Sequence, residues 1–206
     1  GQVANLDVTN STLSQLRALD VGAWKGQEYV GERIPLLSEV LDLARDGRRI
    51  LVEIKQSAAS GVAPHIRDAV RAHPRATPER IAFISFKADT VSAIREALPE
   101  YDAFWLGYYS FYANNSTLLI DLLRGMNASG FDGYYHAGVI GAGIVDDLHQ
   151  AGFSAHVWTV DNADPAIFCR QADMDSLTSN RAGMVKDQVY SALIPPGWLE
   201  QYPALL

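Results

Sequence analysis

Short apolar runs alternate along this chain with longer amphipathic ones, and that alternation limits the possible folds more than any other feature. Six runs read as strands: Arg49–Lys55 (RILVEIK), Arg80–Phe86 (RIAFISF), Asp102–Tyr108 (DAFWLGY), Gly130–Tyr135 (GFDGYY), Ser154–Val160 (SAHVWTV) and Asp175–Ser179 (DSLTS). They are short, rich in β-branched and aromatic residues, and mostly bounded by Gly, Asp or Asn. Helical periodicity fills the intervals, over Ile34–Asp46, Val62–His73, Lys87–Leu98, Ser116–Ser129, Gly143–Ala151, Ala163–Ala172 and Gly183–Leu193. Pro35 and Pro165 stand at helix starts, and Gly47, Gly130 and Gly152 where helices should stop. Strand–helix–strand repetition at this spacing calls for a parallel sheet with right-handed crossovers. The strands read as apolar on both faces, as a sheet covered on both sides requires.

Two parallel architectures compete. A doubly wound sheet carries a glycine-rich phosphate turn, and the one candidate, Gly138–Gly143 (GVIGAG), fails the G-x-G-x-x-G spacing. A barrel gathers functional residues at the C-terminal ends of several strands, which is where the polar residues of these strands fall. The expectation is an α/β chain of the TIM-type (β/α)8 barrel class with about six βα units present. Residues 1–194 form its single, incomplete domain and 195–206 a tail.

The 206 residues suffice for one core. The net charge of −7 argues against a nucleic-acid partner, since a phosphate backbone needs a basic face. Cys169 is the sole cysteine, so neither an intramolecular disulfide nor a cysteine-based zinc site is expected. No apolar run reaches membrane-spanning length, and the first residues show neither the basic nor the apolar region of a secretory signal. Localisation and oligomeric state are not legible.

The strand RILVEIK is the most informative. Alternation puts Leu51, Glu53 and Lys55 on one face, with the two charges roughly 7 Å apart along the strand. On a barrel strand that face is the lumen. Glu53 is then a hard oxygen ligand for Mg²⁺ or Ca²⁺, and Lys55 a phosphate partner. The alternative is a charged strand end at the rim, paired with the opposite charge. Trp158 lies near the C-terminal end of its strand, where a substrate would lie, and core packing is its alternative. His156, deeper on the same face, reads as a satisfied core histidine. His136, just past GFDGYY, is a weak catalytic candidate beside a plain loop reading. His65, His73 and His149 fall on or beside helices and read as solvated.

These segments also resemble a known family. LSQLRALD, then GERIPLLSEVL leading into RILVEIK, is similar to the glycerophosphodiester phosphodiesterases, with Leu36 where Thr is usual. The ISF within Phe83–Phe86, SAHVWTVDNADP, and DSLTSNRAG with Ser176 for Gly and Ala182 for Pro, extend the likeness from about Val3 to Val189. The resemblance implies a divalent metal, Mg or Ca, at Glu53, a substrate phosphate at Lys55 and a substrate-lining Trp158. It implies hydrolysis of glycerophosphodiesters, small molecules left when lipids lose both acyl chains, to glycerol 3-phosphate and an alcohol. The family's His-Arg and H-D motifs do not occur here, and the one E-x-D match, Glu100–Asp102, opens the run DAFWLGY and does not lie on a second strand before RILVEIK. The resemblance therefore makes residues 1–33 a lead-in that follows a missing second strand, and the given chain a fragment, inactive for want of its acid–base histidines. A degenerate barrel that binds a phosphodiester or a protein partner is the alternative.

Overall fold

The computed structural model describes residues 6–45, 47–136, 138, 140 and 142–193. Six strands form one parallel sheet: β1 (Ile50–Glu53), β2 (Ile81–Ser85), β3 (Asp102–Tyr108), β4 (Gly130–Tyr134), β5 (Ser154–Trp158) and β6 (Ser176–Leu177). Their spatial order is their chain order. A doubly wound sheet reverses direction at a switch point. This one never does, and it curls into a half-barrel, as the six-unit expectation requires. The α-helices among the described residues are α1 (Leu13–Arg17), α2 (Leu37–Leu41), α3 (Val62–Arg71), α4 (Ala88–Ala97), α5 (Ser116–Gly125), α6 (Ala142–Gln150), α7 (Ala163–Gln171) and α8 (Ala182–Leu193). The expected tail, 195–206, lies outside the described residues.

The period of two along each strand makes two faces. Outward go Ile81 and Phe83 of β2, Ala103 of β3, Phe131 of β4, and Ala155 and Val157 of β5. These join Val70 of α3, Val91 and Ile94 of α4, Leu119 and Leu123 of α5, and Leu148 of α6 in one buried cluster. Each large apolar side chain so buried contributes about 1.5–3 kcal/mol, and this layer holds the curled sheet together. The register carries the inward positions Leu106, Asp132, His156 and Ser176 across β3 to β6.

That inner face departs from expectation. It is half open: Leu51 is 39% exposed, Tyr108 42% and Tyr134 41%. Other differences are local. The helix expected over Ile34–Asp46 shrinks to Leu37–Leu41. Its Glu39 carboxylate accepts the Leu36 N–H at 2.7 Å, half of a capping box, but the Leu36 side chain cannot return a bond to the first turn. In DSLTS only Ser176–Leu177 is strand, although Asp175 and Thr178 also bond to the backbone of β5 and its end. Gly152 follows the end of α6 with positive φ, as expected, whereas Gly47 takes its positive φ in the loop well past α2, and α5 stops at Gly125 with the positive φ that follows on Asn127. Gly130 instead opens β4, where a Cβ would sit 2.2 Å from the Ser154 carbonyl oxygen, so no side chain fits.

The lead-in is built on polar bonds. Asp20 accepts the backbone N–H groups of Gly22, Ala23 and Gly31, which hold its carboxyl below the usual range. Arg33 donates to the Ala18 carbonyl, and Arg17 pairs with Glu39 at 2.8 Å. At the other end, Asp161 accepts from the Ser179 hydroxyl and from both the backbone and side-chain N–H of Asn180. The recognisable LRALD, GER, VDN and SNR segments are thus largely devices that tie loops.

Candidate active site

At the C-terminal ends of the strands the half-barrel encloses a cavity of about 210 Å³. Glu53 comes from β1, Ile84 and Phe86 from β2 and its end, Leu106 from β3, Asp132 from β4 and Trp158 from β5, with Thr159 and Thr178 beside them. Parallel strands deliver their C-terminal ends to one place, so residues far apart in sequence meet there.

Glu53 is where the strand alternation puts it, on the cavity. Lys55 lies two residues on, past the end of β1. Its ammonium is 3.8 Å from the Glu53 carboxylate and its side chain is 77% exposed. It belongs to the rim and is not among the cavity's lining residues. Trp158 lines the cavity, and its indole N–H donates to the Asp132 carbonyl oxygen at 3.0 Å, which fixes the ring. Phe86 and Tyr134 meet it edge-on, with ring centroids 5.6 and 5.1 Å away.

His156 sits beneath, 7% exposed, with Nδ1 2.7 Å from the Ser176 hydroxyl and Nε2 2.9 Å from that of Ser154. Burial pulls its pKa down to about 4, so the ring is neutral. This is the satisfied core histidine the sequence suggests. His136 is exposed and is not among the lining residues. His73 and His149 are not simply solvated: they lie 3.3 Å from Asp42 and 3.0 Å from Asp175.

Asp132 is the residue that sequence reading passed over. It is 2% exposed, and its Oδ1 is buried without a hydrogen-bond partner. Burial pushes the carboxyl up to about 7. The signal was available, because a carboxylate in the middle of a buried strand rarely stands without a partner or a purpose.

The divalent cation implied by the resemblance finds the Glu53 carboxylate on the cavity. Among the described residues no group of three or more His, Cys, Asp or Glu side chains could hold a metal ion. Glu53 would supply one part of a coordination shell, and no reaction step is derived through the metal.

The profile of the glycerophosphoryl diester phosphodiesterase family matches residues 2–184. No curated protein matches the chain. Among solved structures, it resembles a phosphodiesterase of Oleispira antarctica, determined in complex with the product sn-glycerol-3-phosphate. The two are 20% identical, over 88% of this chain and 72% of that one, with a TM-score of 0.75. A Silicibacter pomeroyi protein described as a glycerophosphoryl diester phosphodiesterase is 19% identical, over 93% and 72%, at 0.73. A glycerophosphodiester phosphodiesterase of Parabacteroides distasonis is 20% identical, over 89% and 72%, at 0.62. Identities this low speak for a shared fold.

Proposed function

The chain belongs to the glycerophosphoryl diester phosphodiesterase family, and from that premise we propose that it serves the metal-dependent hydrolysis of glycerophosphodiesters to glycerol 3-phosphate and an alcohol. The observation that supports this reading is the cavity at the strand ends, shared by Glu53, Asp132 and Trp158.

Hydrolysis adds a water oxygen to phosphorus and expels the alcohol oxygen, which leaves with a proton. The diester brings a negative charge to a chain whose net charge is −7, so positive charge is needed at the mouth. Lys55 offers one such charge, on a flexible stem at the rim. Glu53 offers one oxygen ligand to Mg²⁺ or Ca²⁺, which when bound would polarise the phosphoryl oxygens. Trp158 gives an apolar wall for the carbon skeleton. No acid–base histidine lines the cavity among the described residues, so these 206 residues contribute binding and orientation, and turnover by them alone is expected to be negligible. A second reading, a degenerate barrel that binds a phosphodiester or a protein partner without turnover, is favoured by the incomplete ligand set.

Release of glycerol 3-phosphate from glycerophosphoethanolamine tests this, with Mg²⁺, Ca²⁺ or EDTA, for the 206-residue chain and for any longer product of the same gene. We expect release from the longer product only, stopped by EDTA and cut by Glu53→Gln. Metal-dependent release that ignores Glu53→Gln would remove Glu53 from the site. Binding of the diester without release from either protein would leave the second reading standing.

A further inference from the structure

Asp132 is out of place as a structural residue. A buried carboxyl whose oxygen lacks a partner costs about 1–3 kcal/mol or more, and nothing around Asp132 offsets it. Its backbone carbonyl takes the Trp158 indole N–H, but its side-chain Oδ1 takes nothing. That oxygen belongs to a side chain that is 2% exposed and lines the cavity where Glu53 and Trp158 also stand. The acceptor is in place before any donor arrives.

The donor it fits can be narrowed by chemistry. A diester phosphate oxygen carries no proton to give, so it cannot serve Oδ1 as a donor. A water could serve, but the walls beside Asp132, Trp158, Phe86 and Leu106, are carbon-rich and suit a small carbon skeleton. The ligand that satisfies both is a polyol: a hydroxyl proton for the Oδ1 acceptor and C–H faces for the aromatic wall. On the phosphodiesterase reading, that polyol is the glycerol unit. We propose that Asp132 is the specificity-determining residue of the cavity, its Oδ1 accepting a hydroxyl of the glycerol half of the ligand while Trp158 packs against the carbons.

This rests on the proposed function but is tested apart from it, by binding. Calorimetric titration of the wild-type chain in millimolar Mg²⁺ would use sn-glycerol 3-phosphate and ethyl phosphate, which has the same headgroup charge and no hydroxyls. We expect glycerol 3-phosphate to bind up to about tenfold more tightly, the ratio that one net hydrogen bond supports. Asp132→Leu should erase that preference and leave ethyl phosphate binding unchanged. The same variant should melt no lower than wild type, because it removes an unpaired buried carboxyl, keeps the branching at Cγ and has the cavity beside it to take the added bulk. Equal affinity of the wild type for the two phosphates, or binding of neither, overturns the assignment. So does a marked loss of thermal stability in Asp132→Leu, which would make the residue structural; Asp132→Asn, retaining one acceptor oxygen, would then show whether folding depends on that bond. Failure of the proposed function shows separately, as glycerol 3-phosphate binding without diester hydrolysis by any form of the protein.

Discussion

The two faces of the sheet follow different rules. Outside, Phe83, Phe131, Ala155 and Val157 are at most 1% exposed and lie in one apolar cluster with the helices. Inside, the same strands place Asp132, His156, Ser154 and Ser176, with aromatic side chains open toward the mouth. The outer face is what the fold needs, and any chain with this pattern would need it. The inner face contains a carboxyl and a histidine that burial alone would not select. The contrast separates residues that hold the barrel from Asp132, whose Oδ1 has no partner among the described residues.

The largest effect should come from the outer face. Phe83→Ala removes a ring that is 1% exposed and meets Tyr101 edge-on, at a centroid distance of 6.0 Å. We expect a loss of about 3–5 kcal/mol of stability, measured by urea denaturation. A loss below about 1 kcal/mol would mean that the outer layer is not where the stability lies, and the comparison would fail at its stronger end.

The inner face should show itself through pH, in two effects of opposite sign. Asp132 goes from the ordinary 3.8 up to about 7, because burial disfavours the carboxylate. The native state therefore holds a proton that the unfolded chain has lost, and this contribution to stability falls as pH rises from about 4 to 7. His156 goes from 6.5 down to about 4. Burial is the main cause, Asp175 and Asp102 oppose it, and Arg49 and His149 add to it. The unfolded chain then holds a proton that the native state lacks, and stability falls as pH drops from 6.5 to 4. The two are register partners on adjacent strands, and across pH 4 to 6.5 their slopes oppose. The wild type should therefore be nearly flat in that window. Asp132→Leu should become less stable toward acid, by up to about 1.4 kcal/mol per pH unit, and His156→Gln less stable toward neutral pH. Urea midpoints at several pH values would decide it, and variants as flat as the wild type would show that the two groups are not held neutral.

Much of the outer face was legible because it is repetitive. The apolar runs RIAFISF and SAHVWTV stand out as short buried strands between amphipathic segments, and the order of six strands follows from the crossover rule. Glu53 was legible for the same reason, since it shares a face with Leu51 on a strand that ends beside it. Asp132 was passed over because GFDGYY looks like one more apolar run; its lone carboxylate was the sign, and the fold adds that it lines a cavity and that its Oδ1 meets no donor among the described residues. Lys55 shares the parity of Glu53, but β1 ends two residues before it, so it stands at the rim. The lead-in is a different case. LRALD and GERIP carry the family likeness, and in the fold Asp20 and Arg33 spend their hydrogen bonds on the loop's own backbone.

The smallest effect tests whether stability outside the sheet follows local rules. Helix α2 begins after Leu36, where the likeness to other chains would place a threonine. Glu39 already reaches back to the Leu36 N–H at 2.7 Å, and Arg17 holds that carboxylate from the other side at 2.8 Å. What is missing is a hydroxyl at position 36 to accept the first-turn N–H. Leu36 is 37% exposed, so the exchange gives up little apolar burial. Leu36→Thr should complete the capping box and raise stability by about 0.5–1 kcal/mol, read as a rise in the thermal midpoint. It should leave phosphate binding at the strand ends untouched, because the lead-in contributes no residue to the cavity lining. An unchanged or lower midpoint would mean that the Leu36 side chain contributes apolar contact worth more than the cap, and that the lead-in is held as the outer face is, by packing.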